Sequence, residues 1–215
     1  LEGVRNGEKV LYITLSETLA ELQEMARSHG WSLDGVDIHE LLADNEHVEG
    51  EAPYTMFHPS EIELAETTER VLALVETHRP QRLVLDSLAE LRLLSGSPLR
   101  YRRHVLAFKQ ALAGQHCTTL VLDHSGGNDP GLTVHTIVHG VINLSSTGVE
   151  FGGDRHRVRI MKYRGRRIAG GYHDYRIETG GLRVFPRLIA ADHRSDTGHQ
   201  TVTTGLQSLD ALLGG

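Results

Sequence analysis

Three short apolar runs, each ending in polar residues, constrain the fold of this sequence more than any other feature. "KVLYITLS" covers residues 9–16, "RLVLDS" covers residues 82–87 and "TTLVLDH" covers residues 118–124. Near-continuous hydrophobicity is typical of parallel strands that are buried on both faces. Amphipathic helical patterns, at residues 18–28, 60–78 and 99–113, separate these runs. The alternation predicts an α/β fold with a doubly wound, mainly parallel sheet of three buried strands.

The second half of the chain has a different pattern. "GVINLSSTGVEFGGDRHRVRIMKYRGRR" and "GYHDYRIETGGLRVFP" alternate apolar and polar residues and contain many glycines. This pattern indicates antiparallel strands joined by hairpins. We therefore expect an antiparallel hairpin extension at one edge of the parallel sheet.

Polar pairs follow the three apolar runs at the point where each predicted strand ends. They are Ser16–Glu17, Asp86–Ser87 and Asp123–His124. In open α/β sheets, ligands bind in the crevice beyond the carboxyl ends of the strands. The sequence therefore predicts a site at this edge, with a carboxylate from every pair.

Two of these carboxylates have both a functional and a local interpretation. Asp86 stands where the Walker-B carboxylate of a nucleotide-hydrolysing P-loop enzyme holds Mg²⁺, but an Asp at this position is also a common helix N-cap. Glu17 is placed to orient or deprotonate a water that attacks phosphorus. Alternatively, Ser16 or Thr18 caps the following helix and Glu17 lies in its first turn.

The segment "RIMKYRGRR" is the most distinctive cationic feature. Lys162 and Arg164 alternate along a predicted strand and so share one face. Such a pair can reach a phosphate on a neighbouring subunit, as an arginine finger does. The alternative is a solvated edge strand that charge protects against aggregation.

Composition narrows the function classes. A net charge of −6 argues against a protein that coats nucleic acid by bulk electrostatics. Cys117 is the single cysteine and is expected to be a small core residue; a disulfide framework is excluded. His135 and His139 have a zinc-compatible spacing but lack an evident third ligand. No apolar run approaches the roughly 20 residues of a membrane helix, so we expect a cytoplasmic protein without a membrane partner.

Several segments, taken in order, resemble the KaiC-like branch of the RecA-type ATPases. They are "EGVRNGEKVLYITLSETLAELQEMARSHGWSL", "RLVLDSLAEL", "TTLVLDH" and "MKYRGRRIAGGYHDYRIETGGLRVFP". The resemblance covers nearly the whole chain, and the motifs together are far more specific than any one of them.

The resemblance implies a RecA-like fold that binds ATP and Mg²⁺ between the subunits of a ring, which is a hexamer when nucleotide is bound. Asp86 would position the metal and Glu17 would activate water. Residues implied to contact the nucleotide are Ser16, Ser87, His124, Lys162 and Arg164. The resemblance also implies signalling or clock-related partner proteins.

One departure from the family pattern concerns hydrolysis. The family usually carries a Glu-Glu pair after the first strand, and this chain has Ser16–Glu17. Either Glu17 takes the role of activating water or hydrolysis is slow, and we favour impaired hydrolysis. A non-catalytic assembly domain is the alternative function. A DNA-recombinase-like ATPase is weaker still, because the chain is acidic and has no evident basic-aromatic loop.

The resemblance also predicts the domain organisation. No G-x-x-x-x-G-K-[ST] phosphate-binding loop occurs in the chain. "LEGVRNGEK" resembles the end of the helix that such a loop opens, and "TTGLQSLDALLGG" resembles the start of another repeat. We expect an ATPase domain at residues 1–190, without its phosphate-loop segment, a linker at 191–203 and the start of a second repeat at 204–215. The chain alone is expected to be inactive.

Overall fold

The computed structural model describes residues 1–41, 59–124, 132–148, 151–189 and 203–213. The first half alternates helices and strands, and the second half is mostly strand. The helices are α1 (Glu2–Arg5), α2 (Leu19–Ser28), α3 (Pro59–His78), α4 (Leu88–Ser95), α5 (Pro98–Ala113), α6 (Leu132–Ile137) and α7 (Gln207–Leu213). The strands are β1 (Val10–Thr14), β2 (Val36–Glu40), β3 (Arg82–Asp86), β4 (Thr118–Val121), β5 (Gly140–Thr147), β6 (Arg155–Tyr163), β7 (His173–Glu178) and β8 (Gly181–Phe185).

A parallel sheet of four strands in the order β2-β1-β3-β4 forms the centre of the first half. Its register aligns the carboxyl ends, because Thr14 pairs with Glu40 on one side and with Asp86 on the other. The predicted α/β class with a parallel sheet is therefore confirmed. β2 lies between α2 and α3, and residues 42–58, which follow it, lie outside the described part of the chain.

The core lies between the central strands and the helices α3, α4 and α5. Its most deeply buried side chains are Leu11, Ile13, Val71, Val75, Leu83 and Leu91. The strand residues come from β1 and β3, the two strands with a neighbour on each side. β1 is buried on both faces, as its nearly continuous apolar run predicts, whereas β3 buries Leu83 and Leu85 on one face and leaves Val84 partly covered.

The third apolar run differs from the expectation of a buried strand. Leu120 in β4 is 57% exposed and Leu122, just after the strand, is 44% exposed. The prediction of a buried third strand was wrong, because β4 is an edge strand that pairs with β3 alone among the described strands. Hydrophobicity by itself cannot distinguish a covered strand from an uncovered one.

The predicted antiparallel strands form a second four-stranded sheet, in the order β5-β6-β7-β8. β5 and β6 make the longest pairing, from Gly140–Tyr163 to Thr147–Arg155, with one register shift after Val141. At the outer strand of this sheet, Ile142 is 65% exposed and Leu144 is 52% exposed. The two sheets thus each end in a strand that presents apolar side chains to solvent.

Local signals in the sequence account for the helix boundaries near the site. Thr18 is the N-cap of α2 and forms a capping box with Glu21, as its spacing predicts. α1 ends at Arg5 with Asn6 as its C-cap, and Gly7 follows with a φ of 71°, a conformation that favours glycine. Across the described residues, none of the helices is long and apolar enough to cross a membrane.

Candidate functional site

The predicted site is built where β1 and β3 end side by side. Thr14 and Asp86 are register partners, and the amide of Leu15 donates a hydrogen bond of 2.6 Å to the carbonyl of Asp86. The turn that carries Ser16 and Glu17 therefore begins beside Asp86. This confirms that parallel pairing brings the ends of the first two runs together.

Thr14 shapes the turn that positions Glu17. Its hydroxyl accepts a hydrogen bond of 2.8 Å from the amide of Glu17 and donates one of 2.9 Å to the carbonyl of the same residue. The side chain of Thr14 is fully buried. Because the hydroxyl satisfies both backbone groups of Glu17, it holds the backbone of this residue in one conformation.

Asp86 is held by a side chain from the neighbouring strand. The hydroxyl of Tyr12 donates a hydrogen bond of 2.6 Å to Asp86 Oδ2. Burial, and then this bond to the carboxylate, raise the pKa of Tyr12 well above its usual range, so the hydroxyl remains a donor. Ser87 is the N-cap residue of α4, and the peptide between Asp86 and Ser87 is cis. Asp86 is thus one residue before the cap, which does not match the local interpretation of this carboxylate as the cap itself.

Glu17 places a carboxylate with an unsatisfied oxygen in the same region. Its Oε2 is buried and has no hydrogen-bond partner. Burial raises the pKa of Glu17, and the negative charges of Asp86 and Glu21 raise it further. Glu17 precedes the N-cap Thr18, so it lies outside the first turn of α2.

This pair of carboxylates fits a hard divalent cation. Mg²⁺ prefers oxygen ligands and is usually held by one or two carboxylates together with water and phosphate oxygens. A cation near Glu17 and Asp86 would relieve the repulsion that raises the pKa of Glu17 and would give its buried oxygen a partner. The donor set therefore suits Mg²⁺ better than a softer metal.

The other residues predicted at the strand ends are arranged less tightly. Ser16 is exposed, and its amide lies 3.4 Å from the hydroxyl of Thr14. Ser87 is half-buried and makes no side-chain capping bond. The amide of Leu88 bonds to the carbonyl of Leu122 at 2.9 Å, which places the end of β4 beside Ser87.

His124 lies just beyond β4, and its side chain is exposed. The carbonyl of His124 accepts a hydrogen bond of 3.3 Å from Arg92 Nη1. Arg92 also forms an ion pair with Asp123 through Nη2. The third carboxylate predicted at this edge is therefore neutralised by a helix residue, and the resulting pair fixes the backbone around His124.

Lys162 and Arg164 lie at a different place, against the carboxyl end of α6. Lys162 Nζ donates to the carbonyl of His135 at 2.5 Å, and Arg164 Nη2 donates to the carbonyl of Thr136 at 2.7 Å. Lys109 joins them by donating to the carbonyl of Ile137 at 2.8 Å. Burial lowers the pKa of Lys162, and the charges of Arg164 and Lys109 lower it further. The three cations satisfy carbonyls that a helix end leaves without partners.

Two residues that contact the candidate site residues have no counterpart among the predicted positions. Tyr12 and Thr14 both belong to the apolar run, where they were interpreted as ordinary strand residues. A signal for Thr14 existed, because a threonine at a strand end commonly bonds the backbone of the following turn. No local signal identifies Tyr12, since its partner Asp86 is 74 positions away in the chain.

Cys117 and the histidine pair near α6 lie away from the carboxyl ends of the parallel strands. Cys117 is partly buried and packs against the core, and burial raises the pKa of its thiol. His135 lies in α6 and His139 follows its end, and within the described ranges they do not join a three-ligand group.

A parallel α/β sheet with carboxylates at the carboxyl ends of adjacent central strands is the arrangement expected of a RecA-like protein. The family model "ATPase: KaiC" matches residues 1–189. The chain belongs to this KaiC-like family of RecA-type ATPases.

Similar proteins agree with this assignment. A UPF0273 protein of Methanopyrus kandleri is 24% identical over 204 residues, which cover 90% of this chain and 79% of the relative. A UPF0273 protein of Thermotoga maritima is 25% identical over 194 residues, covering 86% and 78%. The crystal structure of a KaiC-like protein from Pyrococcus horikoshii matches with a TM-score of 0.66 at 20% identity, over 86% of this chain and 78% of that one. The structural match supports the fold. KaiC-like proteins generally bind ATP with Mg²⁺ and are generally oligomeric.

Proposed function

We propose that this chain is the nucleotide-binding module of a KaiC-like ATPase and that ATP with Mg²⁺ binds beyond the carboxyl ends of β1 and β3. One observation carries the proposal: Oε2 of Glu17 is buried without a hydrogen-bond partner, and the negative charge of Asp86 acts on the same carboxylate. Two carboxylates held this close are unfavourable by themselves, and a bound cation removes the conflict.

In this proposal the two carboxylates have separate roles. Asp86, oriented by Tyr12, would hold Mg²⁺. The bound ion would supply positive charge beside the phosphates. Glu17 would orient the attacking water and accept its proton, and its Oε2, which has no hydrogen-bond partner, would be the accepting oxygen. Ser16 stands where the family usually has another Glu, which favours slow turnover.

We also propose where the phosphate-binding segment fits. A strand that precedes such a loop would pair with the free edge of β4, beside the exposed side chains of Leu120 and Leu122. β5 presents Ile142 and Leu144 in the same way, so one inserted strand would join the two sheets. This arrangement accounts for apolar side chains that the described residues leave uncovered.

The cationic residues have a role between subunits in this proposal. Lys162 and Arg164 both point at carbonyl oxygens at the end of α6, so each already binds an oxygen acceptor. A neighbour's phosphate would replace these neutral carbonyls with a charged acceptor, which forms a stronger bond. ATP would then lie between subunits of a hexameric ring in the cytoplasm, and the output to signalling or clock-related partners would follow ring assembly.

The first test is calorimetry of the 215-residue chain with Mg-ATP. A phosphate loop donates several backbone amides and a lysine, and hydrogen bonds to charged groups contribute roughly 1.5–3 kcal/mol each. Losing three of them removes about 4.5 kcal/mol or more, which is over a thousandfold in affinity. We expect no micromolar binding; a micromolar dissociation constant would mean that the nucleotide site lies elsewhere.

The second test supplies the missing loop. The phosphate-loop strand and helix of a KaiC-family ATPase, fused before Leu1, should restore Mg-ATP binding, and Asp86→Asn should remove its dependence on Mg²⁺. In the fused chain, Ser16→Glu should raise turnover, since general-base catalysis contributes about 10²–10⁴-fold. A fused chain that binds nucleotide normally after Asp86→Asn would contradict the proposed metal role.

A non-catalytic assembly domain is the second candidate function. The observation that favours it is that Lys162 and Arg164 are engaged by their own chain's α6. This candidate predicts that the fused chain assembles equally well with and without nucleotide and shows no turnover even with Ser16→Glu. The ATPase proposal predicts assembly that depends on nucleotide, which sedimentation velocity measures directly.

A further inference from the structure

We propose that the chain carries a zinc site formed by Asp37, His39 and His78, separate from the nucleotide site. Asp37 and His39 lie two residues apart on β2, so their side chains share one face of the strand. His78 is the last residue of α3, the helix that leads into β3. The three side chains come together although His78 is far from the other two in sequence.

The three side chains bring their ligand atoms together, and a metal would replace the direct contact between Asp37 and His78. Asp37 Oδ1 lies 3.2 Å from His39 Nε2, and Asp37 Oδ2 lies 2.5 Å from His78 Nδ1. The ligand atoms all lie within 4.8 Å of one another. The rings of His39 and His78 meet edge to face, with centroids 4.8 Å apart. Zinc ligands at about 2.0–2.2 Å from the metal require atoms gathered at this scale.

A second observation points to a ligand at this place. Nε2 of His39 is buried and makes no hydrogen bond, since its contact with Asp37 is close but lacks hydrogen-bond geometry. A buried polar atom without a partner is rare in native proteins and costs free energy. Coordination through the lone pair of this nitrogen would satisfy it without any donor from the protein.

The chemistry of the donors selects the metal class. Two imidazole nitrogens and one carboxylate oxygen suit Zn²⁺ and similar divalent transition metals, whereas Mg²⁺ and Ca²⁺ prefer oxygen ligands alone. The carboxyl end of α3 adds a negative dipole end beside His78. The three ligands found among the described residues leave a position for water, and Asp37 is exposed enough to admit it.

The site would join two elements that do not follow each other in the chain. β2 is the outer strand of the parallel sheet, with β1 as its partner. A metal shared between β2 and the end of α3 would tie this outer strand to the helix layer. We therefore expect zinc to stabilise the fold.

The experiment uses the 215-residue chain without a histidine tag, stripped of metal and titrated with ZnCl₂ by calorimetry. Co²⁺ substitution reports the ligand field by absorption. We expect one strong site per chain, a higher melting temperature with zinc, and an affinity loss of at least about 100-fold for His39→Ala or His78→Ala. The matched control is His139→Ala, at an exposed histidine outside the cluster, which should bind as the wild type does.

The remaining outcomes are equally informative. Asp37→Asn keeps the size of the side chain, so it should weaken zinc binding while circular dichroism shows an intact fold. Binding that survives both histidine variants, or that His139→Ala removes, would overturn the proposal, as would zinc that leaves the melting temperature unchanged. Asp86→Asn should leave zinc binding unaffected, so failure of this site and failure of the proposed nucleotide site are distinguishable.

Discussion

At the scale of single residues, the candidate site contains one carboxylate that has a hydrogen-bond partner and one with a buried oxygen that has none. Asp86 accepts a hydrogen bond from Tyr12, while Glu17 keeps a buried oxygen without a partner. Thr14 prevents Glu17 from relaxing, because it holds the backbone of this residue through two hydrogen bonds. Binding sites commonly retain such unfavourable arrangements, since a ligand relieves them.

The bond between Tyr12 and Asp86 gives the first prediction at this scale. Tyr12→Phe removes the hydroxyl and leaves a partly buried carboxylate with one partner fewer, so we expect a loss of about 1–2 kcal/mol in the free energy of unfolding. Urea denaturation at pH 7 measures it. Tyr163→Phe, which removes a hydroxyl from a half-exposed tyrosine, should change the midpoint little. Equal effects of the two substitutions would contradict the assigned role of Tyr12.

Glu17 gives a prediction about pH. Its pKa is raised in the folded chain, mainly by burial, so the protonated form is favoured by folding. That stabilisation is complete below the unfolded pKa of about 4.3 and is lost as the pH rises through the folded pKa. Glu17→Gln should therefore stabilise the chain above that range, by at most about 1 kcal/mol given solvent screening of a partly exposed group. The gain should shrink toward pH 4.

Thermal unfolding between pH 4 and pH 8 tests this sign. Glu24→Gln is the matched control, because Glu24 is exposed on α2. A gain for Glu17→Gln that is the same at every pH would contradict the explanation by burial and charge repulsion.

At the scale of secondary-structure elements, helix ends determine where the polar groups lie. The capping box of Thr18 and Glu21 starts α2 immediately after Glu17. At the carboxyl end of α6, the last carbonyls accept hydrogen bonds from the side chains of Lys109, Lys162 and Arg164. Both arrangements satisfy backbone groups that a helix end leaves open, and both position a residue predicted to act on nucleotide.

Removal of the cap tests the first arrangement. Thr18→Ala eliminates the hydroxyl that accepts from the amide of Glu21, and N-cap substitutions of this kind cost about 1 kcal/mol. We expect a lower unfolding midpoint by chemical denaturation. Gln23→Ala, at an exposed position within α2, should be neutral or slightly stabilising because alanine favours helix. A neutral Thr18→Ala would show that packing alone starts this helix.

At the scale of the whole molecule, each sheet of the described residues has a terminal strand with exposed apolar side chains. β4 and β5 are terminal strands of their sheets, and both expose large apolar side chains. Uncovered strand edges of this kind pair readily with other chains. The proposed strand of the phosphate-loop segment would cover both edges at once.

This geometry predicts self-association of the 215-residue chain. A charge at the free edge should suppress it, so Leu120→Lys should shift sedimentation profiles toward the monomer and reduce their dependence on concentration. Leu93→Lys places the same charge at a more exposed leucine on α4 and should have no such effect. Association that is insensitive to Leu120→Lys but abolished by Leu93→Lys would locate the contact on the helix surface instead.

Much of the fold and part of the site follow from local sequence patterns. Apolar runs predict β1 and β3, helical spacing predicts α2, α3 and α5, and alternation predicts the antiparallel sheet. Glu17 and Asp86 were predicted at adjacent strand ends, because parallel strands necessarily bring their carboxyl ends to one edge. Each of these inferences depends on residues that are neighbours in the chain or on a general rule of sheet topology.

Contacts between distant segments were decided by the tertiary structure. The bond from Tyr12 to Asp86 spans 74 residues, and Lys162 reaches a carbonyl 27 residues away. The exposure of β4 and the gathering of the Asp37, His39 and His78 ligands likewise depend on which elements become neighbours in space. Sequence patterns record the preference of a segment for its own conformation and burial. They do not identify which strand or side chain becomes a neighbour in the sheet, because that depends on how the whole chain packs.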